Sequence, residues 1–138
     1  MGDLTEHFDL SEFASKDGAP FPDDVRANLK KTAEMLELLR EAVSQELGRT
    51  APLIVTSGYR SPGHNVRVGG VPNSYHVKGM AADVICRDAS AYVVQRVALR
   101  LQHEGKIGGV GSYQGFTHVD LGPSRRWSES QRADVAGA

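Results

Sequence analysis

From Asp23 to Leu47, apolar residues recur every three or four positions: Val25, Leu29, Ala33, Leu36, Leu39, Val43 and Leu47. That spacing gathers them on one face of a helix and predicts a long amphipathic helix there, with core as its only role. Asp23 and Asp24 suit its start, where unpaired N–H groups and the helix dipole favour negative charge, and Gly48 suits its stop. The pattern then changes. Leu53-Ile54-Val55-Thr56-Ser57 is a β-branched run between Pro52 and Gly58 and predicts a buried strand. Residues 82–86 predict a second strand. The intervening residues 58–75 are rich in Gly, Pro, Ser and Asn, and a loop of that length in a small domain is either disordered or functional. Asp88 or Ser90 caps a second helix over about 91–103, with Tyr92, Val93, Val97, Leu99 and Leu101 as its apolar contacts and Gly105 past its end. Two strands, about 109–113 and 116–121, close the pattern. At the other end, Phe8, Leu10 and Phe13 are spaced to pin an N-terminal arm onto the core, followed by a rigid Ala19-Pro20-Phe21-Pro22 loop. The tail after Trp127 is polar and is expected to fray.

This order of elements predicts an α+β fold, a small antiparallel sheet packed with helices, in one domain over residues 1–138 with its core at about 8–127. With 40% of 138 residues hydrophobic, the chain can fill one modest core. The net charge of −1 and the dispersed Lys and Arg leave no electrostatic footprint for nucleic acid or an anionic membrane. No apolar stretch approaches the length of a membrane span. The single cysteine, Cys86, rules out a disulfide within the chain and sits in an apolar run, as a small core residue rather than a metal thiolate. The first ten residues are acidic and lack the apolar centre of a secretory leader. Delivery to a site of action outside the cytoplasm is therefore expected to fall to another agent, such as a holin or a phage tail.

The chemistry concentrates around two of the five histidines. His76 lies in Ser74-Tyr75-His76-Val77-Lys78-Gly79-Met80-Ala81-Ala82-Asp83, and His118 in Phe116-Thr117-His118-Val119-Asp120. Asp83 opens an apolar strand, where a lone carboxylate is costly to bury unless paired or on a metal. Gly79 allows a tight turn that folds His76 back toward it. On the last strand His118 and Asp120 share a face. Two imidazoles and one carboxylate form a three-ligand set with a fourth position open, the arrangement of a catalytic zinc. A solvated His76 and an Asp83 that merely caps a turn are the alternative. His64 lies in the long loop and is a weaker candidate for the cleft. His103, in a last helical turn, and His7, on the arm, read as structural. Gly69-Gly70, with no Lys-Ser/Thr after it, makes no phosphate cradle.

Ser74-x-His76-x-x-Gly79-x-Ala81-x-Asp83 resembles the SxHxxGxAxD motif of the zinc D-alanyl-D-alanine carboxypeptidase family. Upstream, Ser57-Gly58-Tyr59-Arg60-Ser61-Pro62 with Asn65 resembles that family's SGYRSxxxN segment. Downstream, residues 116–122 resemble its closing FxHxDxG strand. The opening Phe8-Asp9-Leu10-Ser11-Glu12-Phe13 is similar to the start of the subgroup whose last strand ends in HxD. The family includes carboxypeptidases, dipeptidases and endolysins of peptidoglycan and shares its fold with the hedgehog signalling domain.

The resemblance implies a hedgehog/DD-peptidase-like fold and a zinc metallopeptidase that cuts D-Ala-containing peptidoglycan stem or cross-link peptides. Its metal ligands would be His76, Asp83 and His118. Arg60 would bind substrate oxygens, for which its fixed fork is suited; a structural ion pair is the alternative. Ser74 would assist by hydrogen bonding near ligands or substrate, or only cap a turn. Tyr59 and His64 are further substrate-binding candidates. Many members carry an acidic general base three positions before the last histidine, where this chain has Gly115. Asp120 is the first candidate to replace it, the alternative being that Asp120 orients a ligand. Tyr59 and Tyr113 are candidates to stabilise an oxyanion. The implied partner is peptidoglycan peptide, with no nucleic acid and no membrane span; the chain is expected to be a monomer acting in the bacterial periplasm or cell wall. The rival reading is a non-catalytic zinc-containing module that binds cell wall or a partner.

Overall fold

In a computed structural model that describes residues 2–130, the helical stripe forms α1, Asp23–Leu47. Gly48 ends it in the left-handed conformation, φ 72°, with its N–H on the Gln45 carbonyl. Val25, Leu29, Ala33, Leu36, Leu39 and Val43 are buried, as their spacing requires. The strands are β1 (Leu53–Ser57), β2 (Ala81–Cys86), β3 (Gly109–Ser112), β4 (Thr117–Asp120) and β5 (Arg125–Ser128), with α2 (Pro62–Arg67) after β1 and α3 (Ala91–His103) after β2. Ser90 caps α3 by accepting from the Val93 N–H.

The sheet runs β1-β2-β4-β3-β5. Three of its pairings are antiparallel, but β3 and β5 run parallel, so the sheet is mixed rather than purely antiparallel. The α+β class holds. Both β5 and α2 go beyond the sequence expectation. β5 is an edge strand in which Trp127 alone is buried, so it carries no apolar alternation. α2 is a single short helix inside a Gly-rich loop, although Ser61-Pro62 has the form of a capped helix start.

Alternation along the strands separates two faces. Leu53, Val55, Ala82, Val84, Cys86, Val110 and Val119 join one cluster with the buried faces of α1 and α3. Cys86 is a buried free thiol within it. The opposite face carries Asp83, His118, Asp120 and Trp127, aligned by the pairings Asp83↔His118 and Gly111↔Trp127. β3 presents only glycine to that face because side chains lie directly on it. A Cβ at Gly109 would fall 2.6 Å from Asp120 Oδ2, and one at Gly111 would fall 2.7 Å from the Trp127 ring. Phe8 and Phe13 are buried and fasten the N-terminal arm, Phe13 in a 3₁₀ turn over Leu10–Phe13. The tail expected to fray after Trp127 lies mostly outside the described residues, and its first residue, Ser128, is the last of β5 (Arg125–Ser128). Among the described residues, no helix is long and apolar enough to cross a membrane.

Candidate metal centre

His76 is delivered by a tight turn between β1 and β2. The Ser74 hydroxyl accepts from the His76 N–H at 3.2 Å, and Gly79 turns the chain at φ 73°. α1 holds this turn from behind, with Thr32 Oγ1 donating to the Gly79 carbonyl at 2.7 Å and Asn28 Nδ2 to the Lys78 carbonyl at 2.9 Å. The turn sets His76 above β2, and the Asp83↔His118 pairing brings in the other two groups. His76, Asp83 and His118 are all buried, and each offers a donor atom within 4.8 Å of the others.

The tautomers follow from the outer partners. His76 Nδ1 lies 2.7 Å from the Gly58 carbonyl oxygen, which can only accept, so Nδ1 carries the hydrogen and Nε2 presents a lone pair. That Nε2 faces Asp83 Oδ1 at 3.2 Å. His118 Nε2 donates to Asp120 Oδ2 at 2.7 Å, leaving Nδ1 3.0 Å from the same Asp83 oxygen. Two imidazole edges and a carboxylate oxygen thus converge in a buried space. Electron pairs so arranged need a cation between them, and the two nitrogens with one oxygen suit zinc. The residues present therefore fit such an ion.

Charge shifts describe the same demand. Burial alone would raise the Asp83 carboxyl, but His76 and His118 outweigh it and hold it far below the usual carboxylate range. Burial lowers His76, against the pull of Asp83. Burial also opposes charge on His118, yet its hydrogen bonds to Asp120 and Asp83 prevail and push it up to about 9. Without metal, these hydrogen bonds favour a proton on His118, and the Arg60 guanidinium, 3.6 Å from Asp83, is a second positive group beside it.

Arg60 approaches from the loop after β1. Its Nη2 lies 3.6 Å from Asp83 Oδ2, its Nη1 donates to Asn65 Oδ1 at 3.1 Å, and its backbone N–H bonds the His76 carbonyl. α2, which carries Asn65, is tied to the N-terminal arm through Asp17, whose carboxylate accepts from Ser61 and Arg67. Arg60, the three candidate ligands, Val68, Tyr113 and Phe116 enclose a cavity of about 100 Å³.

The other sequence candidates lie elsewhere. Asp120 shares a face with His118 but sits behind it. Its carboxylate accepts from His118, from both Arg125 guanidinium nitrogens and from the Gly109 and Gly122 N–H groups, and it does not line the cavity. Those donors hold it at about 2 despite its burial. The carboxylate thus meets the edge of the His118 ring that faces away from Asp83, outside the cavity walls. Tyr59 is buried against Phe21 at 5.8 Å, within the core and away from the cavity. Ser74 caps the His76 turn and is fully buried, and His64 lies on α2 outside the cavity walls. Gly115 is exposed at the β3–β4 turn and borders a different cavity, beside Cys86 and Val94. Gly115 lies in that turn, outside β4, so the strand alternation that places His118 does not extend to it. His7 pairs with Glu37 on the arm. Three residues of the site were not singled out from the sequence. Phe116 has the parity of His118 and was findable by that alone, whereas Val68 and Arg125 carry no local signal.

The family profile of peptidase M15 matches residues 6–120. The chain is 35% identical over 88 residues to a protein of Escherichia coli K12 named peptidoglycan L,D-endopeptidase MepK, covering 59% of this chain and 46% of that one. A Haemophilus influenzae protein named probable peptidoglycan L,D-endopeptidase MepK is 38% identical over 86 residues, 57% of this chain and 44% of that one. The zinc D-Ala-D-Ala carboxypeptidase of Streptomyces albus G is 32% identical over 104 residues, 75% of this chain and 39% of that one. The chain thus spans less than half the length of these curated relatives.

Proposed function

The chain belongs to the peptidase M15 family, and from that premise we propose that it is a zinc-dependent peptidase acting on peptidoglycan stem or cross-link peptides. The observation that carries the reading is the convergence of His76, Asp83 and His118, each histidine locked by an outer acceptor so that its free edge faces Asp83. The Escherichia coli and Haemophilus influenzae relatives are named for peptidoglycan and the Streptomyces albus G relative for zinc and D-Ala-D-Ala, which supports the substrate and the ion. It also supports a place of action at the cell wall or periplasm.

Zinc held there would supply an activated water at neutral pH and a Lewis acid for a peptide carbonyl. The protein's part is placement. Asp120, itself clamped by Arg125, fixes the His118 ring, and the Gly58 carbonyl fixes the His76 ring. Arg60, steadied by Asn65, offers its fork to a substrate carbonyl or carboxylate. Val68 and Phe116 give the cavity apolar walls beside the candidate ligands.

A second reading keeps one observation in its favour: Asp83 is the only carboxylate among the residues lining the cavity, so no separate acid stands ready as a base. On that reading the chain binds wall peptide and turns nothing over. Mass spectrometry of muropeptides after incubation with purified walls separates the two. A peptidase releases new amino termini, only with metal present, and the product masses identify the bond cut. A binder sediments with the wall and releases none.

A further inference from the structure

One wall of the cavity is built with more care than holding a metal requires. The Tyr113 and Phe116 rings stack with centroids 4.5 Å apart and planes 9° from parallel. Gln95 of α3 pins the backbone beneath both, its Nε2 donating to the Tyr113 carbonyl at 2.8 Å and the Phe116 carbonyl at 3.2 Å. From the site face, Trp127 lies over Gly111 with its ring 5.1 Å from that of His118. Its Nε1 reaches the Tyr113 hydroxyl at 2.9 Å. An indole N–H can only donate, so the phenol oxygen accepts at this contact and its own O–H is directed elsewhere. Accepting one hydrogen bond polarises a hydroxyl and makes it a stronger donor. Tyr113 and Phe116 line the same cavity of about 100 Å³ as the three candidate ligands. Apart from the three candidate ligands, Arg60 and Tyr113 are its polar lining residues.

We propose that Tyr113 is a catalytic residue that donates a hydrogen bond to the oxyanion formed during amide hydrolysis, and that Trp127 is its positioning residue. The assignment rests on the peptidase reading above. In the addition step a water oxygen forms a bond to the amide carbon. The π pair of the carbonyl moves onto its oxygen, where the Tyr113 O–H meets it. One water proton is released and ends on the amine nitrogen when the C–N bond breaks. Tyr113 keeps its own proton throughout. A donor aimed at charge that develops only in the transition state acts on kcat and leaves substrate binding almost unchanged.

The test uses the full chain loaded with zinc and the variants Tyr113→Phe, Trp127→Phe and the double variant, with urea unfolding to confirm that each is folded. Tyr113→Phe is expected to lower kcat for wall-peptide release about 100-fold, with KM within about threefold. Trp127→Phe is expected to lower kcat about 10-fold, and to cost nothing further in the Tyr113→Phe background. A second readout needs no turnover. Trp127 is the only tryptophan in the chain, so its indole N–H gives one NMR resonance. That signal should move upfield in Tyr113→Phe, and a phosphinate analogue of an alanyl-alanine amide, a tetrahedral mimic, should bind that variant about 100-fold more weakly. Wild-type kcat in Tyr113→Phe, or unchanged phosphinate affinity, overturns the assignment while the peptidase reading stands. A wild-type chain that releases no peptide with zinc overturns the peptidase reading itself, and the phosphinate titration then still decides whether Tyr113 faces a bound tetrahedral oxyanion.

Discussion

His118 Nε2 lies 2.7 Å from Asp120 Oδ2, and this contact turns the other edge of the imidazole toward Asp83. Asp120 is fully buried and is itself held by two hydrogen bonds from the Arg125 guanidinium. A ligand whose ring is fixed in advance loses little freedom on binding a metal, and its basicity rises with the carboxylate behind it. Asp120→Asn is therefore expected to keep the fold but weaken zinc binding by about 10- to 100-fold, measured by competition with a chromogenic chelator. Unchanged affinity would remove Asp120 from the metal centre.

The proton on metal-free His118 gives a pH dependence with a definite sign. Its folded value, about 9, lies above the ordinary 6.5. The interaction therefore stabilises the metal-free fold fully below pH 6.5, and that contribution fades as pH rises through about 9. Zinc must displace the same proton. Its affinity should rise about tenfold per pH unit up to that value and level off above. Calorimetry at pH 7.5 in buffers of different ionisation enthalpy should count close to one proton released per ion from His118. A count of zero would contradict the arrangement.

Arg60 tests substrate recognition apart from metal binding. Its Nη2 is 3.6 Å from Asp83, and its other arm is spent on Asn65. Arg60→Lys keeps the charge but loses the fork. We expect zinc content to stay at the wild-type level while kcat/KM for wall peptide falls about 100-fold, roughly 2.7 kcal/mol. Loss of zinc in this variant would recast Arg60 as a structural partner of Asp83.

Gly79 tests the turn that delivers His76. It shares φ 73° with Gly69, but a Cβ at Gly79 would fall 2.8 Å from the Val25 carbonyl oxygen, while at Gly69 it would meet nothing within 4 Å. Gly69→Ala should cost only the left-handed backbone strain, about 1 kcal/mol. Gly79→Ala adds a clash with fixed helix backbone and should cost about 3 kcal/mol in urea unfolding. Equal losses would show that the close approach to α1 has no energetic weight.

The contrast between these positions also explains what was legible in the chain. Elements that bury a periodic apolar face, α1 and α3 with Ser90 as its cap, declare themselves within a short window of sequence, and so do β1 and β2. The three candidate ligands were legible because their residue types are rare in such settings and their motifs follow a known order. What escaped is set by tertiary pairing. β5 takes its conformation from parallel pairing with β3 and buries Trp127 alone, so Arg125 reaches Asp120 through no local pattern. Asp120 and Tyr59 show the limit from the other side. Shared strand parity placed Asp120 beside His118 but could not tell whether its carboxylate faced substrate or Arg125. Tyr59 was a candidate from its motif, and its ring lies in the core cluster instead of the cavity.

Whether His76, Asp83 and His118 hold one ion together is decided by elemental analysis of the purified chain after zinc loading and gel filtration, with His76→Ala, Asp83→Ala and His118→Ala treated in parallel. One zinc per wild-type chain is expected, with loss of bound zinc in each variant that remains folded. A wild-type chain that retains no stoichiometric zinc, or an Asp83→Ala variant that retains all of it, would show that these three side chains are not the metal ligands.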